Sequence, residues 1–160
     1  MKKILMIMLV LAGMSVRVNA QWFVSGSAGI GYLNDEFHLL AKPGAGYEFD
    51  DRWAVGLDVG LGVRGHSALA YLIVDPYVRF NCWNNNRFFI DAKVKSEMWI
   101  GHGNGSIDLG VVPSFRYAIN DYWHISGDVG LFGAQYMADE WSPAFGFSSA
   151  NVKMSVIYRF

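Results

Sequence analysis

From Gln21 onward the chain alternates between apolar and other residues with a period of two. The last nine residues, VKMSVIYRF, show it most plainly. Val152, Met154, Val156, Tyr158 and Phe160 are apolar, Lys153, Ser155 and Arg159 lie between them, and only Ile157 departs from the pattern. A period of two places successive side chains on opposite faces of a β-strand. The pattern predicts eight such strands, over about residues 21–33, 37–49, 52–64, 68–81, 87–100, 105–119, 122–135 and 145–160. They are longer than the usual soluble strand of about five or six residues. Their length suits a tilted strand crossing a bilayer, which needs about 9–11 residues in the hydrocarbon.

Short polar segments separate the runs. Asp50-Asp51, Asn120-Asp121 and Asn84-Asn85-Asn86 read as tight turns, the last slightly longer. The other connections centre on Asn34-Asp35-Glu36, Gly65-His66-Ser67, His102-Gly103-Asn104 and the longer stretch from Tyr136 to Ala144. All seven are compatible with hairpins. The segment PGAGYEFDDRWAVGLDVGL (Pro43 to Leu61) also aligns without gaps to PSFRYAINDYWHISGDVGL (Pro113 to Leu131), sharing Pro, Tyr, Asp, Trp, Asp, Val, Gly and Leu. PYVRF, from Pro76 to Phe80, opens a partial third copy. The unit is a strand, a tight turn and a strand, the building block of an up-and-down barrel.

One parity of every run is free of charge. It holds Trp22, Val24 and Ile30, then Trp53, Val55, Leu57, Val59 and Leu61, and so on to Val156, Tyr158 and Phe160. The other parity carries Lys42, Glu48, Asp58, Arg64, Asp75, Arg79, Asp91, Lys93, Lys95, Glu97, Asp108, Arg116, Asp128, Lys153 and Arg159, eight cations and seven anions. Gly44, Gly46, Gly56, Gly60 and Gly110 share this charged face. A soluble sandwich or lipocalin-like barrel would put the apolar face inside, and a membrane barrel would put it outside. Strand length favours the second arrangement. So do the aromatics beside the tight turns (Trp22, Tyr47, Phe49, Trp53, Phe80, Phe88, Tyr117, Trp123, Tyr158, Phe160), which are placed like an interfacial girdle. Glycine has no role on a solvated sheet face but makes room inside a narrow eight-stranded lumen. Eight charges against seven predict a network of ion pairs filling that lumen rather than an open pore. Pro43, Pro76 and Pro113 fall inside strands, where bulges or missing ladder bonds are expected.

Composition narrows the picture. Residues 1–20, MKKILMIMLVLAGMSVRVNA, have a basic start at Lys2 and Lys3, an apolar run from Ile4 to Val16 and a small-residue site at Val18-Asn19-Ala20. This predicts an export signal peptide, with residues 21–160 as one barrel domain. The apolar run is shorter than the roughly 20 residues a spanning helix needs. Thirteen basic side chains less Lys2, Lys3 and Arg17 leave ten against fourteen acidic ones, a formal charge of −4. No basic excess is left for nucleic acid. A single cysteine, Cys82, excludes an intramolecular disulfide and zinc sites built on paired cysteines.

A signal peptide, eight alternating strands and a last strand closing on Tyr158 and Phe160 resemble the small eight-stranded outer-membrane proteins of Gram-negative bacteria, the OmpA/OmpX-like family, over Gln21 to Phe160. The resemblance implies an all-β, eight-stranded antiparallel up-and-down transmembrane barrel in the cell outer membrane. It implies a monomer in contact with outer-membrane lipids and lipopolysaccharide. It also implies that Val156, Tyr158 and Phe160 form the signal read by the barrel-assembly machinery. Both ends of the chain and the tight turns then face the periplasm. Members differ in function, so the fold does not carry an activity.

The expected role is structural or surface-interacting and non-enzymatic, with no cofactor and no metal. A narrow porin-like channel, a carrier of small hydrophobic ligands and a lipid A-modifying enzyme are the alternatives. The enzyme reading rests on WHISGD, where His124, Ser126 and Asp128 share a face, faintly similar to the His-x-Ser pair of lipid A deacylases. His38, His66 and His102 near one rim suggest a metal site, Asp139 and Glu140 a cation bridge to lipopolysaccharide, and Lys93, Lys95 and Glu97 an ion filter. Each has a plainer explanation in the filled lumen or a solvated loop. Cys82 reads as a small residue beside a turn.

Overall fold

A computed structural model describes residues 20–33, 36–64, 69–101, 105–137, 140–146 and 152–160. The residues of the expected signal peptide lie outside this set, except Ala20. Ten strands are formed and, among the described residues, no helix: β1 (Gln21–Leu33), β2 (Glu36–Glu48), β3 (Trp53–Arg64), β4 (Leu69–Asn85), β5 (Phe88–Gly101), β6 (Ser106–Ala118), β7 (Trp123–Asp128), β8 (Leu131–Met137), β9 (Glu140–Gly146) and β10 (Lys153–Arg159). All pairings are antiparallel. Neighbours pair in order from β1 to β6, β6 pairs with both β7 and β8, and β10 joins β7 to β1, so the sheet closes on itself. β7 and β8 are two halves of one stave, and β9 and β10 are two halves of the next. The architecture is the expected closed eight-stranded up-and-down barrel, which leaves its staves no outer edges where it is closed.

The tight turns are built by side-chain caps. Oδ1 of Asp50 accepts hydrogen bonds from the backbone N–H groups of Arg52 and Trp53, at 2.8 and 2.7 Å. Oδ1 of Asn120 accepts the same pair from Tyr122 and Trp123, at 2.9 and 2.8 Å. The aligned hairpins therefore turn by one mechanism, an Asx turn that satisfies backbone donors locally. The third turn differs from its expected position. β4 continues to Asn85, and the turn is Asn86-Arg87, with Asn86 at φ 47°. Asparagine tolerates this left-handed conformation better than most residues. The ladder between β4 and β5 slips by one residue between Asn81 and Trp83, leaving Cys82 as the extra residue of a bulge.

The prolines interrupt single ladders. Pro43, Pro76 and Pro113 each remain paired on one flank, with Gly26, Leu57 and Ala92. On the other flank the regular ladder is interrupted, because proline has no N–H to donate, although the Pro113 carbonyl still accepts from the Val129 N–H at 2.9 Å. The β2–β3 ladder passes from Ala41 to Gly44 and the β4–β5 ladder from Val74 to Tyr77 with register unchanged. Only at Pro113 does the register shift. Here three steps along β6, from Val111 to Ser114, face four steps along the neighbouring stave, from Phe132 to Asp128. Gly130 takes up the irregularity at φ 79°, where a side chain would be strained.

Two expectations about the last hairpin need correction. The stretch from Tyr136 to Ala144 is not a long loop, because β8 and β9 pair from Leu131↔Gly146 up to Met137↔Glu140. The last strand is also not continuous over 145–160: it consists of β9 and β10, and residues 147–151 lie outside the described set. Asp139 lies outside it as well. Trp141 packs on Tyr136 with ring centroids 5.2 Å apart.

Parity sorts the two faces of the barrel. Trp22, Val24, Leu57, Leu61, Val94, Ile125 and Met154 are exposed on the outside, while Lys42, Asp91, Glu97 and Arg116 are each only 2% exposed. Outside, aromatic side chains meet across strands at the turn end: Trp22–Tyr47 at 5.1 Å, Trp53–Phe80 at 4.7 Å and Trp123–Tyr158 at 4.8 Å between centroids. Inside, large side chains occupy the space over glycines. A Cβ on Gly46 would lie 2.2 Å from the Phe23 ring, and one on Gly56 would lie 2.3 Å from the Tyr77 ring.

Candidate functional site

The interior is layered along the barrel axis. Nearest the tight turns is an arginine layer. Arg79 pairs with Glu48, Arg159 Nη2 lies 2.7 Å from Glu48 Oε2, and Arg116 Nε donates to Asp91 Oδ2 at 2.9 Å. Asn81 Nδ2 donates to Asp91 Oδ1 at 2.7 Å. Above it is an apolar layer of Phe23, Ala54, Tyr77 and Ile157. Arg79 lies 5.3 Å from the Phe23 ring centroid and Lys93 lies 5.6 Å from that of Tyr77, so each cation packs against an aromatic ring of this layer.

A lysine layer comes next, and Glu97 is its hub. Its Oε2 accepts from Lys42 at 2.8 Å, from Lys95 at 3.1 Å and from Lys153, while its Oε1 accepts from Trp99 Nε1 at 2.9 Å. Asp75 pairs with Lys42 and lies 3.8 Å from Lys95. Lys93 donates to Asp128 at 2.6 Å. A second apolar cluster, Leu40, Tyr71, Ile73 and Trp99, closes this end. Between the layers the cavity lined by Asp58, Tyr77, Lys95 and Asp128 is about 10 Å³, room for about one water.

Nearly all the charged residues expected inside are brought together here. Arg64 is the exception: its side chain lies outside the described residues. Two others are present without an ion pair. Asp58 accepts a hydrogen bond from Ser25 at 3.0 Å, and Asp108 is buried with one oxygen lacking a partner. Asp58 therefore does not carry the network. Asp58→Asn keeps an acceptor for Ser25 and is expected to cost about 1 kcal/mol or less, measured as a shift in the denaturant midpoint of the folded barrel.

The interior apolar layers are absent from the sequence expectation. The signal for them was the irregular Ile157, together with Phe23 and Tyr77 at charged-face parity. Both arise because a closed barrel has enough cross-section to hold aromatics over glycines, which a pairwise charge count does not register.

Two other candidate sites, the His-x-Ser pair and the ion filter, can be followed among the described residues, while the side chains of the rim histidines and Asp139 lie outside them. His124, Ser126 and Asp128 all point inward and are buried, but neither nitrogen of His124 nor the hydroxyl of Ser126 has a hydrogen-bond partner. No nucleophile–base contact links the pair. Asp128 serves Lys93 instead. Lys93, Lys95 and Glu97 are committed to ion pairs rather than lining an open path. His66 and His102 and the side chain of His38 lie outside the described residues. Among the described residues no three His, Cys, Asp or Glu side chains are grouped to hold a metal ion.

Below the arginine layer the barrel opens into a vestibule of about 460 Å³ at the tight-turn end. Glu48, Phe89, His124 and Arg159 form its inner wall, and the turn residues Asp50, Asp51 and Asp121 surround its mouth. Phe89 is a second missed residue. Its ring lies 4.2 Å from the Arg116 guanidinium and 5.9 Å from the His124 ring.

No protein-family model matches the chain, and no curated protein matches it in sequence.

Proposed function

We propose that this protein is an integral barrel of the bacterial outer membrane, a non-enzymatic monomer with a filled interior and a structural or surface-interacting role in the envelope. The observation that carries the reading is the inversion of the two faces. Valine, leucine, isoleucine and aromatic side chains cover the outside, while lysine, arginine, aspartate and glutamate are buried. In water this arrangement would expose the residues that drive folding and desolvate the ions that oppose it. In a bilayer the outer term changes sign, because apolar groups meet acyl chains, and the closed sheet keeps most backbone groups paired within the wall. The cross-strand aromatic pairs at the turn end suit a headgroup boundary.

On this reading the tight turns and the vestibule face the periplasm, and lipids and lipopolysaccharide surround the wall. Val156, Tyr158 and Phe160 then serve as the strand-end signal for the assembly machinery. The narrow mid-barrel cavity favours a plug over a channel, and the unpaired His124 and Ser126 favour a structural over a catalytic role.

Cell fractionation tests the location: the protein is expected with outer membranes, and its unheated folded form should migrate differently from the heated form on a gel. Recovery as a compact monomer in detergent-free buffer would sink the proposal. In planar bilayers steady open currents are not expected, and their appearance would overturn the filled interior. Lipid A from cells with and without the protein is expected to be identical in mass, and a difference would overturn the non-enzymatic assignment.

A further inference from the structure

We infer that the vestibule at the tight-turn end binds the carboxylate end of a small zwitterion, an amino acid or a short peptide with a free C-terminus. The inference goes beyond the membrane proposal and does not need it, because it rests on the inside of the barrel.

The deep wall of the vestibule carries Arg159, His124 and Glu48, and Glu48 is already engaged by guanidinium groups of the arginine layer. Three guanidinium groups, Arg79, Arg116 and Arg159, face only two carboxylates, Glu48 and Asp91. After those pairings, Nη1 of Arg79, Nη1 of Arg116 and Nε of Arg159 are buried without a hydrogen-bond partner, and of the three residues only Arg159 reaches the vestibule, the other two lying behind it as a net positive layer. His124 is 2% exposed, lines the vestibule, and has no partner at either nitrogen. A buried imidazole without partners costs free energy that an incoming polar group recovers. An oxyanion seated against Arg159 fits this wall, since charge-assisted bonds to guanidinium are the stronger kind. A small rotation of the imidazole presents a ring N–H to the same oxyanion.

The mouth has the opposite character. Asp50, Asp51 and Asp121 line it. Their field disfavours a lone anion entering, while the arginine layer disfavours a lone cation at the bottom. A ligand that satisfies both is negative at its deep end and positive a few ångströms behind. Free amino acids and short peptides have that arrangement, and the volume of about 460 Å³ lies within the range of small-molecule sites.

The repeat supplies the control. His124 aligns with Ala54 in the other hairpin, so alanine is already accommodated beside an equivalent turn. The probe is glycylglycine, titrated into folded, isotope-labelled protein and followed by backbone and imidazole NMR signals. Saturable shifts are expected at His124 and Phe89. Glycylglycinamide, which lacks the carboxylate, and N-acetylglycylglycine, which lacks the ammonium, are each expected to bind at least tenfold more weakly. His124→Ala is expected to lose at least tenfold with an otherwise unchanged spectrum. Should it fail to fold, His124→Phe, which keeps a ring but has no N–H donor, provides the same reading.

Absence of saturable shifts with glycylglycine overturns the site. Equal affinity for either capped probe overturns the zwitterion assignment, leaving a simple ion site. Wild-type affinity in the His124 variant overturns the role of the imidazole.

Discussion

Glu97→Gln is expected to destabilise the folded barrel by about 3–5 kcal/mol, the range for breaking a buried ion pair from one side. Glu97 is 2% exposed and accepts from Lys42, Lys95 and Lys153 through one oxygen and from Trp99 through the other. The amide removes the anion and leaves three ammonium groups crowded around a neutral side chain. Lys42 and Lys95 retain Asp75, but Lys153 has no other carboxylate within 4 Å among the described residues. The loss should therefore fall most heavily on Lys153. A second substitution checks this: Lys153→Met in the Glu97→Gln background should restore part of the stability, because it removes the charge that lost its partner. The coupling is read from a double-mutant cycle of urea midpoints, in the medium in which the wild-type chain folds. Additive losses would show that Glu97 and Lys153 do not act as a pair. The expectation holds for any closed barrel with this interior, in lipid or in water.

Val59→Arg separates those two environments. Val59 sits midway along β3 on the outer face, flanked on that face by Leu57 and Leu61 and paired with Val74. Against lipid near the bilayer midplane the arginine is expected to cost about 2–4 kcal/mol. Against water a surface substitution of this kind stays within about 0.5 kcal/mol. Folding into phospholipid vesicles, followed by denaturant titration, distinguishes the two values. Wild-type stability in vesicles would contradict the outward-facing lipid contact and with it the membrane reading. Paired with the small effect expected for Asp58→Asn, its neighbour on the inner face, the result also tests the parity assignment residue by residue.

The two predictions draw on different parts of the information in the chain. The outward position of Val59 follows from the period-two pattern alone, because successive side chains on a strand must point to opposite faces. The hub at Glu97 does not. Parity places Glu97 inside but says nothing of its height on the axis or of which charges lie across the lumen. Lys42 and Lys153 reach it across 55 and 56 positions of sequence, and Arg159 reaches Glu48 across 111. Those distances are set by strand register and by closure of the ring.

Local chemistry was legible where its cause is local. Asp50 and Asn120 mark Asx turns because each bonds to backbone two and three residues ahead. Pro43, Pro76 and Pro113 mark ladder gaps because proline lacks an N–H. The end of β4, the bulge at Cys82 and the break at Gly130 were not legible, since each depends on how a partner strand keeps register. The hairpin of β8 and β9 is hidden in the sequence for the same reason: Pro143 and the charges near it weaken the alternation, and only pairing with β8 makes that segment a strand.

By itself, then, the order of residues determined that this chain forms eight long staves with charge on one face, because alternation, turn caps and missing donors act within a few residues. Tertiary structure decided which charges meet, that aromatic layers separate an arginine tier from a lysine tier, and that an unpartnered histidine lines a vestibule beside the turns. These depend on the closure of the barrel, which brings together side chains that no stretch of sequence places near one another.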